Sequence, residues 1–160
     1  ANTTFVGQNL GAGKLDRVKK GVNIGILIAM AGTAIIVVPL MCFSDTMLKL
    51  FNSDSEVLRY GRMFVLYMSP FYIPYCATQI YSGALRGAGD SLSPMIVTIA
   101  SFVVFRQLYL LIGTQFISSP LFVGLSYPAG WIVSTITLFI IYRSGRWEKK
   151  LPAHVRMQAA

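Results

Sequence analysis

VNIGILIAMAGTAIIVVPLMCF, residues 22–43, contains no charged side chain. A bilayer core about 30 Å thick is crossed by roughly 20 apolar residues wound as a helix, so this stretch is long enough to span a membrane. Its apolar residues form a continuous block. The helix of a soluble domain would instead confine them to one stripe.

Three further blocks follow along the chain. Residues 63–85 are uncharged although they include Pro70 and Pro74, residues 92–117 are interrupted only by Arg106, and residues 120–142 carry no charge. Hydrophobic residues make up 54% of the 160 and charged residues 12%, against about 25% charged in an ordinary soluble domain. The expected fold is an all-α membrane protein of about four transmembrane helices, followed by a polar tail over 143–160. The polar start of the chain, Ala1 to Leu10, lacks the basic stretch and short apolar core of a cleavable signal peptide, and we expect further protein upstream. Cys42 and Cys76 lie in or beside spans without metal-ligand spacing, and packing roles are expected of both.

The net charge of +8 would suit a nucleic-acid binder, so its distribution decides. Lys14, Arg17, Lys19 and Lys20 precede the first span, Arg86 follows the second, and Arg143, Arg146, Lys149, Lys150 and Arg156 follow the last. The opposite side holds Lys49, Arg59 and Arg62, mixed with Asp45, Asp54 and Glu56. The positive-inside rule then places both ends of this segment in the cytoplasm, in a multi-pass protein of the plasma membrane. Cations at the inner leaflet meet anionic lipid, and no recognition motif points to nucleic acid.

Local signals refine the picture. Ser53 to Glu56 has the form of a helix start, on an outer loop that feeds the second span. Gly21 with Gly25, and Gly83 with Gly87, are spaced for close helix approach. Trp147 is expected as a headgroup anchor at the start of a mobile tail.

The glycine-rich GQNLGAGK at residues 7–14 is not a phosphate loop, because Gln8 and Leu15 occupy the positions that need Gly and Ser or Thr. Asp16 replaces the third glycine of a dinucleotide fingerprint. The segment, with Gly7, Gln8, Asn9, Gly11 and Gly13, is read as a conformational joint between two spans.

Tyr72, Tyr75, Gln79, Ser82 and Arg86 recur every three or four residues and share one helix face. Aromatic faces attract flat cations through ring quadrupoles, so Tyr72, Tyr75 and Gln79 are candidates for a substrate pathway. Pro70 and Pro74 in the same span remove backbone hydrogen bonds and permit a bend. Arg106 is costly in hydrocarbon, by about 2.5–3.5 kcal/mol or more. It is expected to face protein or a water-filled cavity, as a tether between helices or as a pathway residue. Paired carboxylates and His clusters are missing from the sequence and its single histidine, His154, lies in the tail, so no enzyme activity and no cofactor are expected.

Two stretches carry a family resemblance. VGQNLGAGKLDRVKKGVN, residues 6–23, resembles the signature after the eighth span of MATE (multidrug and toxic compound extrusion) transporters. QIYSGALRGAGDSLSPM, residues 79–95, resembles their tenth-to-eleventh span loop, with Arg86, Gly87, Gly89 and Asp90 in its core. The resemblance covers nearly the whole chain and implies the ninth to twelfth spans of a twelve-helix protein, within its C-terminal six-helix lobe. It further implies secondary active efflux of amphipathic, often cationic drugs or toxins by cation-coupled antiport and alternating access. Partners would be small organic substrates, the bilayer and the missing N-terminal part of the same transporter. None of the four spans contains Asp or Glu; where some members have an acid midway along the tenth span, this chain has Pro74, Tyr75 and Cys76. The site for a coupling proton or sodium ion is therefore expected upstream. The rival readings are a flippase of lipid-linked precursors with a related fold and a non-transporting four-helix membrane scaffold.

Overall fold

The computed structural model describes residues 1–148 and Leu151. The tail expectations for Lys149, Lys150, His154 and Arg156 lie outside the described residues. Among those described there is no strand, and eight α-helices follow one another: α1 Asn2–Gly11, α2 Leu15–Cys42, α3 Ser44–Lys49, α4 Ser55–Met68, α5 Tyr72–Gly87, α6 Leu92–Ile99, α7 Arg106–Gly113 and α8 Pro120–Arg143. A 3-10 turn at Ser69–Phe71 joins α4 to α5, and a wide π turn at Ala100–Phe105 joins α6 to α7.

Three helical stretches are long and apolar enough to cross a membrane: Leu15–Cys42, Leu92–Gly113 and Pro120–Arg143. The first begins well before Val22, since Asp16 in its first turn complements the helix dipole. The second stops at Gly113 instead of 117, where the Thr114 hydroxyl donates to the Leu110 carbonyl at 2.6 Å. The third matches expectation almost to the residue.

The block at 63–85 is where the structure departs from a single straight span. Its helix starts earlier, at Ser55, and is divided into α4 and α5 by the turn at Ser69–Phe71. Pro74 has no N–H for the carbonyl four residues back, which belongs to Pro70, and its ring would crowd that carbonyl. Placing Pro74 in the first turn of α5 removes the conflict, because N–H groups there need no helical partner. The helix start before α4 is also displaced by one residue: Asp54, not Ser53, is the cap, and its Oδ1 accepts the Glu56 N–H at 2.8 Å and the Val57 N–H at 3.3 Å.

The packed core gathers at one end of the molecule. Val6 and Leu10 of α1, Val18 and Val22 of α2, Ala77, Tyr81, Ala84 and Leu85 of α5, Val97 of α6, and Leu138 and Tyr142 of α8 close on one another, with Trp147 and Leu151 beneath. Trp147 is thus not a headgroup anchor. It is 1% exposed, stacks on Tyr142 at 5.4 Å and donates its indole N–H to the Tyr142 carbonyl at 2.9 Å. Most of α2 is bare by contrast, with Leu27 68% and Ile35 73% exposed, as suits a face turned to lipid or to further helices.

Gly21, Gly83 and Gly87 serve the docking of α1, while Gly25 faces Ile80 of α5 at 3.8 Å. A Cβ on Gly87 would meet the Thr3 carbonyl oxygen at 2.6 Å and Val6 Cβ at 2.9 Å, and one on Gly21 would collide with the Phe5 ring. Gly83 faces the Asn2 side chain at 3.1 Å, whose amide donates to the Ile80 carbonyl at 2.7 Å.

Thermal unfolding of the full-length protein in detergent separates the reasons for these glycines. Gly87→Ala is expected to cost about 1–3 kcal/mol by overpacking against backbone. Gly89→Ala has open space but φ +85°, and is expected to cost about 1–2 kcal/mol from conformation alone. Gly11→Ala, helical and with no neighbour within 4 Å, is expected to leave the midpoint unchanged or raise it. Equal midpoints for all three would refute the docking account.

Candidate functional site

Tyr72 and Tyr75 project from the first turns of α5 onto an aromatic surface completed by α8 and the π turn. Trp131 lies 4.8 Å from Tyr72 and 5.0 Å from Tyr75, centroid to centroid. Phe102 meets Tyr75 edge-on at 6.2 Å, and Tyr127 adjoins Trp131 at 6.5 Å. The Gln79 side-chain amide donates to the Tyr75 hydroxyl at 2.6 Å, fixing the ring while the rest of Gln79 stays exposed. On their other side Tyr72, Tyr75 and Gln79 border a groove of about 460 Å³ between α2 and α5, with Thr33 and Cys76 on its wall. Thr33 and Cys76 are themselves 2.9 Å apart, oxygen to sulfur. Ala29 and Ile80 continue this groove into a second one, of about 560 Å³, that reaches Asn2 and Phe5.

The polar stripe expected along α5 divides at this point. Tyr72, Tyr75 and Gln79 are accessible, whereas Ser82 is buried and receives the Arg86 guanidinium at 2.6 Å. Arg86 therefore lies in the last turn of α5 and stands apart from the aromatic surface.

Arg106 faces protein. Its Nε donates to Ser126 Oγ on α8 at 3.3 Å, and its guanidinium carbon sits 3.8 Å from the centre of the Tyr127 ring. Ser126 passes its own proton to the Val123 carbonyl at 2.6 Å. A ring face and a hydroxyl thus give the guanidinium its partners on α8. The geometry is that of a tether between α7 and α8, at the edge of the aromatic surface.

The two motif segments meet at the opposite end. Gly7, Gln8, Asn9 and Gly11 are helical residues of α1, and Asn9 donates its amide to the Phe5 carbonyl at 2.8 Å. Only Gly13 leaves the helix, with φ 71°. That left-handed residue lets Lys14 N–H reach the Asn9 carbonyl at 2.8 Å and ends α1 cleanly. Gly89, φ 85°, does the same for α5, where Asp90 N–H bonds the Leu85 carbonyl at 2.9 Å. Asp90, itself buried, then opens α6 by accepting the Ser93 hydroxyl at 2.8 Å and its N–H at 3.3 Å. A Cβ on Gly7 would stand 3.5 Å from the Gly87 carbonyl, so the segments lie against each other. The segment expected to be a conformational joint is here a helix end capped at Gly13, lying beside the capped end of α5.

Trp131, Phe102 and Tyr127 escaped the sequence reading. One signal was available: Ser126, Gly130, Ser134 and Leu138, four residues apart, are buried and mark the face of α8 that packs inward, with Trp131 on its border. Among the described residues no group of three or more His, Cys, Asp or Glu side chains is placed to hold a metal.

Comparison with known proteins follows the same landmarks. The chain is 24% identical over 94% of its length to the probable multidrug resistance protein NorM of Thermotoga maritima. It is 26% identical over 94% to the probable multidrug resistance protein YoeA of Bacillus subtilis, and 25% identical over 62% to the FAD transporter of Shewanella oneidensis. It spans about a third of the length of the first two, 32% of each, and 22% of the third. The MatE family profile matches residues 1–111, a stretch that holds α1 with its glycine cap, the turn at Gly89 and Asp90, and the tyrosines of α5. With that match over more than half of its residues, this multi-pass membrane chain belongs to the MatE family.

Proposed function

We propose that the full-length protein exports amphipathic, often cationic organic compounds across the plasma membrane, and that the aromatic surface of Tyr72, Tyr75 and Trp131 forms part of the pathway. The observation that carries this reading is the joining of three rings from two helices beside an open groove. Ring faces hold flat cations without requiring a fixed hydrogen-bond pattern, which suits a carrier of varied substrates. Membership of the family and the multidrug resistance names of its relatives favour the same conclusion.

The block at 63–85 serves as the fourth crossing in this proposal, bent at Ser69–Phe71. Export is driven by a proton or sodium gradient through carboxylates outside these residues, and the remaining lobe comes from the rest of the transporter. Arg106 acts chiefly as the tether between α7 and α8.

A second reading is favoured by the FAD transporter among the relatives and by Arg106 beside Tyr127. Planar flavin or adenine rings could stack on Trp131 and Tyr75, with a cation near their phosphates. Efflux from cells expressing the full-length protein, measured with a cationic dye and with FAD, separates the two. Trp131→Ala and Tyr75→Ala are expected to weaken export of the true substrate by about two- to thirty-fold at unchanged abundance. Arg106→Ala is expected to lower abundance and thermal stability first. Wild-type export in both aromatic variants would remove the pathway assignment.

Orientation has its own check. In a cysteine-free background, an impermeant maleimide added to intact cells is expected to label Phe51→Cys, at the α3–α4 loop, and to miss Arg146→Cys until the membrane is opened. The reverse pattern would invert the proposed topology.

A further inference from the structure

Where α2, α5 and α8 converge at the basic end of the molecule, they enclose a small pocket of about 170 Å³, distinct from the two apolar grooves. Its lining is chemically mixed. Lys19 comes from the second turn of α2, Tyr81 from α5, Tyr142 and Arg143 from the last turn of α8, and Trp147 and Glu148 from the turn that follows. With about 30 Å³ per water in the liquid, the space admits a phosphate group together with solvent.

Two features set this pocket apart from a packing gap. The Tyr142 side chain is 92% buried by its 8% exposure, yet its hydroxyl has no hydrogen-bond partner among the described residues. A buried hydroxyl left unpaired is costly, and native structures keep few of them. The charges are also unequal. Lys19 Nζ pairs with Glu148 Oε1 at 3.0 Å, which neutralises the one carboxylate in the lining. Among the described residues no carboxylate is paired with Arg143, whose guanidinium carbon lies 5.9 Å from the centre of the Phe139 ring. Lys14, Arg17, Lys20 and Arg146 crowd the same end of the molecule. Basic pockets between helices at the cytoplasmic face are physically suited to acidic headgroups.

We propose that this pocket binds a phosphate group, that of an anionic phospholipid headgroup or of free phosphate. Arg143 supplies the main charge, Lys19 the second, and the Tyr142 hydroxyl a hydrogen bond, while the stacked Trp147 holds the Tyr142 ring in place. The site is independent of the exported substrate: none of its residues belongs to the aromatic surface. Occupied, it would join the start of α2 to the end of α8 through the bound phosphate group.

The test titrates the purified full-length protein in neutral detergent with short-chain phosphatidylglycerol, short-chain phosphatidylcholine or inorganic phosphate, counting bound species by native mass spectrometry. Phosphatidylglycerol is expected to bind in preference to phosphatidylcholine. Arg143→Ala should weaken it about fivefold, Arg143→Lys should largely restore it, and Tyr142→Phe should weaken it about threefold. Glu148→Gln, which releases Lys19, should tighten it. Displacement of the lipid by millimolar phosphate would identify free phosphate as the ligand, and persistence of the lipid would identify the headgroup. Equal binding of both lipids with no response to Arg143→Ala would overturn the site, as would no binding at all. Tyr142→Phe that only raises thermal stability, leaving binding untouched, would show the unpaired hydroxyl to be a packing defect and overturn its assigned role.

Discussion

The contact on which the rest of the structure depends is the approach of α1 to α5 at Gly87, where any side-chain carbon would stand 2.6 Å from the Thr3 carbonyl. Between membrane helices there is little hydrophobic gain in association, since lipid tails are as apolar as leucine. Close backbone approach and interhelical hydrogen bonds must carry the packing. With Gly83 and Gly87 clearing space, Val6 and Leu10 reach the core and Asn2 reaches the Ile80 carbonyl. α5 is thereby held on one side. On its other sides Thr78 bonds Thr135 of α8 at 2.6 Å and Cys76 meets Thr33 of α2. Each such bond is worth about 0.6 kcal/mol on average, so it is their placement on every face of one helix that fixes the bundle.

A consequence is an asymmetry between the two ends of the bundle. The basic half is closed by the α1 dock, by two glycine caps and by Trp147 folded under Tyr142. The other half carries the irregular backbone: the 3-10 turn at Ser69–Phe71 and the π turn at Ala100–Phe105. Both adjoin the aromatic surface, since Tyr72 follows one and Phe102 lies within the other. Non-helical backbone at this depth is tolerated where protein or water satisfies it, and wide turns recur at functional sites. The rigid end and the adaptable end are thus separate parts of α5 and its neighbours.

The sequence disclosed the helical class and the close-packing glycines Gly21, Gly83 and Gly87, because length, charge and small-residue spacing act locally. It also isolated Arg106 as a residue that had to face protein or a water-filled cavity, and its nearest partners are Ser126 and Tyr127. What stayed hidden depended on neighbours distant in the chain. Whether Pro70 or Pro74 would bear the break is decided by which carbonyl each would clash with, and Ser69–Phe71 absorbs both. Trp131 stands in an α8 whose hydrophobic residues point all ways, so no stripe singled it out. Trp147 looked interfacial by composition, but the positive φ of Gly145 turns the chain back and buries it. Gly7, Gln8 and Asn9 suggested a joint by type, yet their backbone is helical, with Gly7 beside the Gly87 carbonyl.

The polar chemistry inside these helices is almost entirely neutral, and that bears on how a substrate would be chosen. Hydroxyls, thiols and amides pin the helices to one another, while the single charge at depth, Arg106, is spread over a ring and a serine hydroxyl. A site built from fixed charges or dense hydrogen-bond donors would reject any ligand that left one of them unpaired. Ring faces impose no such penalty, because their quadrupole attracts a cation over a range of positions. The Gln79 amide, committed to the Tyr75 hydroxyl, removes one more group that would otherwise demand a partner from the ligand. If this surface takes the substrate as proposed, selection would rest on flatness, charge and apolar area, and would be broad because its own polar groups are satisfied before any ligand arrives.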